Sequence, residues 1–114
     1  MEENEYQVVI SSPAKLRYQR DILPYIFTHF SFDRASEIDE YFIEKAASLK
    51  VKPRRGTKEK FLQRLPQEFR FILVKITRHF ELKIVYFIEE TTKTVYITDF
   101  FPTKMDTTRM GEDY

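Results

Sequence analysis

The sequence predicts an α+β fold: an N-terminal strand, an antiparallel helical hairpin, then a three-stranded antiparallel meander. Three observations carry this reading. Between Glu68 and Pro102, three runs rich in β-branched and aromatic residues alternate with a period of two. The breaks between them, Thr77–Glu81 and Glu89–Lys93, are too short for a parallel return, which needs a crossover of about a dozen residues or more. Upstream, two stretches repeat apolar residues at the three-and-four spacing of helices with one buried stripe.

Tyr6, Val8 and Ile10 fall on one face of a first strand that ends at Ser11-Ser12. Ser12-Pro13 reads as an N-cap followed by proline at the first helical position, where its missing N–H costs nothing. Leu16, Gln19 or Arg20, Leu23, Ile26 or Phe27, and Phe30 form the stripe of a helix expected from about Pro13 to about His29. Pro24 lies inside it and predicts a kink, because the stripe continues in phase on both sides. Ser31 caps the next helix with Asp33 in its first turn, and Ala35, Ile38, Phe42, Ala46 and Leu49 give its stripe. Tyr41 and the acidic residues mark its outer side.

From Lys50 to Gln67 the periodicity fails, and two prolines and a glycine predict a basic loop pinned by Phe61-Leu62. In the first strand of the meander, Phe69, Phe71 and Leu73 share one face, and Arg70, Ile72, Val74 and Ile76 the other. Leu82–Ile88 and Val95–Phe101 are the second and third strands. Apolar residues on both faces imply helices over one and a partly wet second face, where a function is to be sought. Thr103–Tyr114 is polar and reads as an extended or frayed tail.

The 114 residues fit one domain. With no cysteine, neither a disulfide framework nor a thiolate site is available. No stretch has the length or apolarity of a membrane span, and the acidic opening MEENEYQVVI has no basic flank, so a cytoplasmic protein without a secretory signal is expected. The net charge of +1 hides a gradient. Lys50 to Lys83 holds eleven basic residues and three acidic ones, an excess of eight positive charges, between two acidic flanks. That concentration points to an acidic partner, with Lys52, Arg54, Arg55, Lys58, Lys60 and Arg78 as binding candidates.

Other residues invite chemistry less strongly. His29 suits the C-terminal dipole of the first helix, and His79 lies in a hairpin turn beside Arg78. The two histidines, without paired carboxylates, make no metal site, and no cofactor is expected. Asp99 is expected to pair with Arg70 or Lys83 across the sheet. Phe100-Phe101-Pro102, Tyr86 and Tyr96 offer an aromatic platform for stacking bases or a groove for docking a partner, although core is the commoner fate of aromatic residues on alternating strands.

The order strand, helix, helix, basic loop, meander resembles the RelE/ParE superfamily of type II toxin–antitoxin toxins, over about Tyr6 to Met105. The residues that carry the resemblance are Tyr6-Gln-Val-Val-Ile-Ser-Ser-Pro-Ala14, Asp21-Ile-Leu-Pro-Tyr-Ile26, Pro53-Arg-Arg-Gly56, Arg70, Lys83-Ile-Val-Tyr-Phe-Ile-Glu-Glu90 and Val95-Tyr-Ile-Thr-Asp-Phe-Phe101. It implies a first strand paired with the meander, a helical hairpin across one face, and neutralisation by a cognate antitoxin.

The resemblance implies one of two targets. ParE-like members poison DNA gyrase. RelE-like members cut mRNA on the ribosome with basic residues on the concave sheet face, and Arg70, Lys83 and Lys104 would be the catalytic set if this chain is a ribonuclease. Attack by a 2′-hydroxyl also needs a proton acceptor and a donor to the leaving oxygen. The family's C-terminal arginine falls near Thr103 or Lys104 and its aromatic near Arg109 or Met110, where this sequence has neither, leaving Tyr114 as the tail residue able to reach back. The expected function is therefore a gyrase-directed toxin, with ribosome-dependent mRNA cleavage and a degenerate non-toxic binding module as alternatives.

Overall fold

The computed structural model describes residues 5–104 and Met110. The strands are β1 (Gln7–Ile10), β2 (Thr57–Lys58), β3 (Arg70–Thr77), β4 (Phe80–Glu89) and β5 (Thr94–Pro102). The helices are α1 (Ser12–Arg17), α2 (Leu23–His29) and α3 (Phe32–Ala47), with a π-helical turn at Tyr18–Ile22. The fold is α+β, and the strands form a five-stranded sheet in the order β1-β5-β4-β3-β2. The antiparallel meander β3-β4-β5 is its centre. The sheet is larger than the expected meander and mixed: β1 joins one edge parallel to β5, and β2, from the segment expected to be a loop, joins the other edge. No helix among the described residues is long and apolar enough to cross a membrane.

The first helix is continuous in space but not in hydrogen bonding. Pro24 has no N–H to give, and the turn before it widens so that the Leu23 N–H bonds the Tyr18 carbonyl, five residues back. A π turn absorbs the proline where a simple kink is expected. The N-cap is Ser11, one residue earlier than the sequence suggests, its Oγ accepting from the Ala14 N–H at 3.2 Å. Ser31 caps α3 as expected, accepting from the Arg34 N–H at 3.1 Å.

The buried stripe of the first helix differs from the expected one. Ala14, Arg17, Tyr18, Ile22 and Ile26 are buried, while Leu16 is exposed and Leu23 half-buried. Arg17 conceals the true phase, since a charged residue is not read as core from sequence. The α3 stripe of Ala35, Ile38, Phe42 and Ala46 is buried as expected, and Leu49 continues it into the following 3-10 turn. Phe42 sits edge-on to Tyr18 and Phe80, 6.4 and 5.9 Å between ring centres, under Leu82, Ile84, Tyr86, Val95, Ile97 and Phe100.

The second face is covered in part by the chain itself and is otherwise partly wet, as expected, with Leu73 exposed upon it. The 3-10 turn Lys60–Leu62 crosses it, and Leu62 packs with Phe69, Val85, Phe101 and Met110 into a smaller core. Of the expected pins, Leu62 is buried and Phe61 is 43 % exposed. The tail expected to fray is tied down where it is described: the Thr103 N–H bonds the Glu81 carbonyl at 3.1 Å and Met110 is buried in that smaller core, whereas residues 105–109 and 111–114, Arg109 and Tyr114 included, lie outside the described residues.

Two β-bulges set which side chains share a face. The β3–β4 turn places Thr77 opposite Phe80, but Lys75 stands opposite Glu81, so Ile76 is an extra residue and the register slips by one. The slip matches the apolar sets of the two strands: Ile72, Val74 and Ile76 lie with Phe80, Leu82, Ile84 and Tyr86 under the helices. Between β4 and β5, Val85 faces Asp99 and Tyr86 faces Ile97, which makes Thr98 the extra residue. Asp99 and Phe101 are thereby turned to the second face while Phe100 stays under the helices.

Candidate functional site

The basic segment is organised by a clasp at its centre. The Tyr86 hydroxyl donates to the Pro53 carbonyl and accepts from the Gly56 N–H at 3.1 Å. Burial pushes the phenol of Tyr86 above its ordinary value, against lowering by the Gly56 N–H and by Arg70 and Arg55. A Cβ at residue 56 would lie 2.8 Å from the Phe71 carbonyl oxygen and closer still to the Tyr86 hydroxyl, so only glycine fits. Arg70 closes the clasp from β3: Nη1 donates to the Gly56 carbonyl at 2.8 Å and the Arg54 carbonyl at 3.2 Å, and Nη2 to Glu68 at 2.8 Å.

Lys83 lies on the other side of the sheet. Arg70 stands opposite Tyr86 and Lys83 opposite Leu73, and an offset of three along β4 puts them on opposite faces. Lys83 Nζ bonds buried Glu59 at 2.8 Å and lies over the rings of Phe71 and Phe61, 4.3 and 5.4 Å from their centres. Glu59 also accepts from the Phe61 N–H at 3.1 Å. Lys83 is therefore the counter-ion of the segment that covers the second face. Lys104 is exposed just past β5. The structure does not bring Arg70, Lys83 and Lys104 into one cluster.

The binding candidates divide into tethered and free. Arg54 pairs with Glu90, which also accepts from the Tyr6 hydroxyl at 2.9 Å. The Tyr6 hydrogen bond and the Arg54 guanidinium hold that carboxyl below its ordinary value. Arg55 ties off the end of α3, donating to the Val51 carbonyl at 2.6 Å and Ser48 Oγ at 2.7 Å. Lys58 stands 3.7 Å from Glu68, and Arg78 bonds the ring of its neighbour His79 at 3.2 Å. Lys52 and Lys60 are exposed with no carboxylate in ion-pair range among the described residues, Lys52 in the left-handed conformation at φ 49°. His29 stacks on Tyr25 and lies 3.0 Å from its carbonyl, a helix-end role.

Asp99 pairs with neither Arg70 nor Lys83. Its partner is Arg17, whose Nε bonds Oδ1 at 2.8 Å and whose Nη2 bonds Oδ2 at 3.2 Å, both side chains buried. β1 ends opposite Ile97, so α1 lies beside the uncovered remainder of β5 and brings the guanidinium over the Phe101 ring. The aromatic platform is not assembled: Tyr86, Phe100 and Phe101 are buried, Phe101 on the face opposite the other two. Tyr96 stacks on Phe87 at 5.3 Å.

Sequence reasoning missed Arg17, Glu59 and the Tyr86–Gly56 clasp. Signals for two of them exist: Glu59 is one of three carboxylates in a basic run, and Gly56 is one of two glycines in the chain. No family model matches the chain, and no curated protein matches it.

Proposed function

We propose that this chain is a toxin of the RelE/ParE kind, neutralised by a cognate antitoxin, that acts by binding DNA gyrase rather than by cutting RNA. The observation that carries the reading is the separation of Arg70 and Lys83. Phosphate hydrolysis or transfer needs cations that converge where charge develops. Here the two lie on opposite faces, and each is already bonded to acceptors of its own chain. A binder needs no such convergence, only an exposed surface of suitable shape and charge.

The strand, helical hairpin and meander order supports the family reading, with the parallel β1–β5 pair joining the N-terminal strand to the meander. Lys52 and Lys60 support the antitoxin reading: they are exposed cations on a segment held in place by the clasp, available to carboxylates of an acidic partner. Expression without antitoxin, followed by a supercoiling assay with purified gyrase and mapping of mRNA 5′ ends, tests the proposal. Inhibited supercoiling with intact mRNA is the expected result. Codon-phased cuts that vanish in Lys83→Ala would establish the ribonuclease instead, and neither effect would point to a non-toxic binding module.

A further inference from the structure

Among the described residues, the outer edge of β3 is an open strand edge. β2 covers only Arg70 and Phe71, and no described residue pairs with the edge from Ile72 to Thr77. The Glu59 N–H donates to the Phe69 carbonyl at 2.8 Å, so the polar groups of Phe69 point outward. Alternation along the strand turns those of Leu73 and Lys75 the same way. Leu73 is also 53 % exposed. An open edge with an apolar side chain upon it is a template for strand pairing.

The two ends of this edge carry opposite charge. Beside Lys75 and Ile76, a groove of about 410 Å³ is lined by Glu37, Glu40 and Glu44 of α3. Arg34 lies in the same groove and pairs with Glu37, while Glu40 and Glu44 make no ion pair among the described residues. Beside Phe71 to Leu73, a second groove is lined by Lys45 and Arg55. An antiparallel partner identical to this chain would bring each acidic groove against the other copy's basic one.

Side-chain parity restricts the register. About a dyad perpendicular to the sheet, paired residues must share a face. A dyad at Lys75 would oppose two lysines. A dyad at Val74 sets Leu73 opposite Lys75 and Ile72 opposite Ile76, and the outward N–H and C=O groups of Leu73 and Lys75 then meet across it. Lys75 keeps Glu81 as its neighbour on β4.

We propose that two copies of this chain associate through the free edge of β3, antiparallel about a dyad at Val74, forming one continuous sheet. The surface is separate from the toxin reading and does not rest on it. Sedimentation velocity on the full-length protein from about 1 to 100 µM should show a monomer–dimer equilibrium. Amide exchange at Leu73 and Lys75 should slow as concentration rises.

Leu73→Pro removes an outward N–H at an edge position that tolerates proline, and should weaken the dimer Kd by about a hundredfold or more with the fold retained. Leu73→Glu places a carboxylate opposite Lys75 of the other copy at two symmetric sites, and should tighten Kd by about two- to tenfold in low salt. A chain monomeric throughout that range overturns the proposal, as does a dimer indifferent to a folded Leu73→Pro variant. A dimer loosened by Leu73→Glu overturns the register and the proposal with it.

Discussion

Replacing Arg70 tests whether it serves a substrate or the fold. A phosphate-contacting arginine is stability-neutral when truncated and is partly replaced by lysine. The structure predicts the reverse. The Arg70 side chain is 16 % exposed and spends its guanidinium on the carbonyls of Gly56 and Arg54, with Glu68 as a half-exposed third partner. Hydrogen bonds from charged groups contribute about 1.5–3 kcal/mol each when buried. The 3.2 Å bond is longer and partly solvated, and the Glu68 pair, exposed on one side, adds about 0–1 kcal/mol. Arg70→Ala should therefore cost about 2–3 kcal/mol in urea unfolding. Arg70→Lys should recover less than half, because a single ammonium cannot reproduce the planar fork that spans both carbonyls. Hydrogen exchange at the Gly56 amide, which bonds Tyr86 Oη, should accelerate in both variants. Loss below about 0.5 kcal/mol in Arg70→Ala, or full recovery in Arg70→Lys, would refute the assignment of Arg70 to the clasp.

Three further outcomes are expected. Phe42→Ala should cost about 3–5 kcal/mol by chemical denaturation, since Phe42 is fully buried between Tyr18 and Phe80, whereas Glu40→Ala on the exposed side of the same helix should be nearly silent. Asp99→Ala should cost about 3 kcal/mol in the same measurement, because it removes a buried carboxylate that two nitrogens of buried Arg17 bond. The phenols of Tyr18 and Tyr86 are raised above 10.0, mainly by burial. Their protonated forms favour the folded state, so their contribution is complete below pH 10 and is lost as pH rises above it, where the unfolded chain ionises first. The melting temperature should fall above that pH, and the fall should be shallower in Tyr18→Phe.

Alternation and spacing in the sequence determined the element types and much of the core. The meander strands, the α3 stripe and the Ser31 cap follow from short-range rules that need only neighbouring residues. The first helix was less legible because its stripe includes Arg17, whose burial depends on Asp99, 82 residues away in the chain. The segment from Lys50 to Gln67 has no periodicity to read because its order comes from outside itself, through Arg70 and Tyr86 on one face of the sheet and Lys83 on the other.

The face on which each candidate residue lies was decided by tertiary structure. Continued without a bulge from Thr77 opposite Phe80, the β3–β4 register would set Lys83 opposite Val74 and on the face of Arg70. The extra residue at Ile76 sets it opposite Leu73. Local turn geometry favours the first register, and burial favours the second, because only then do the apolar sets of both strands lie together beneath α3 and the first helix. The sequence determined which residues alternate, and packing against the helices determined which pairs could meet.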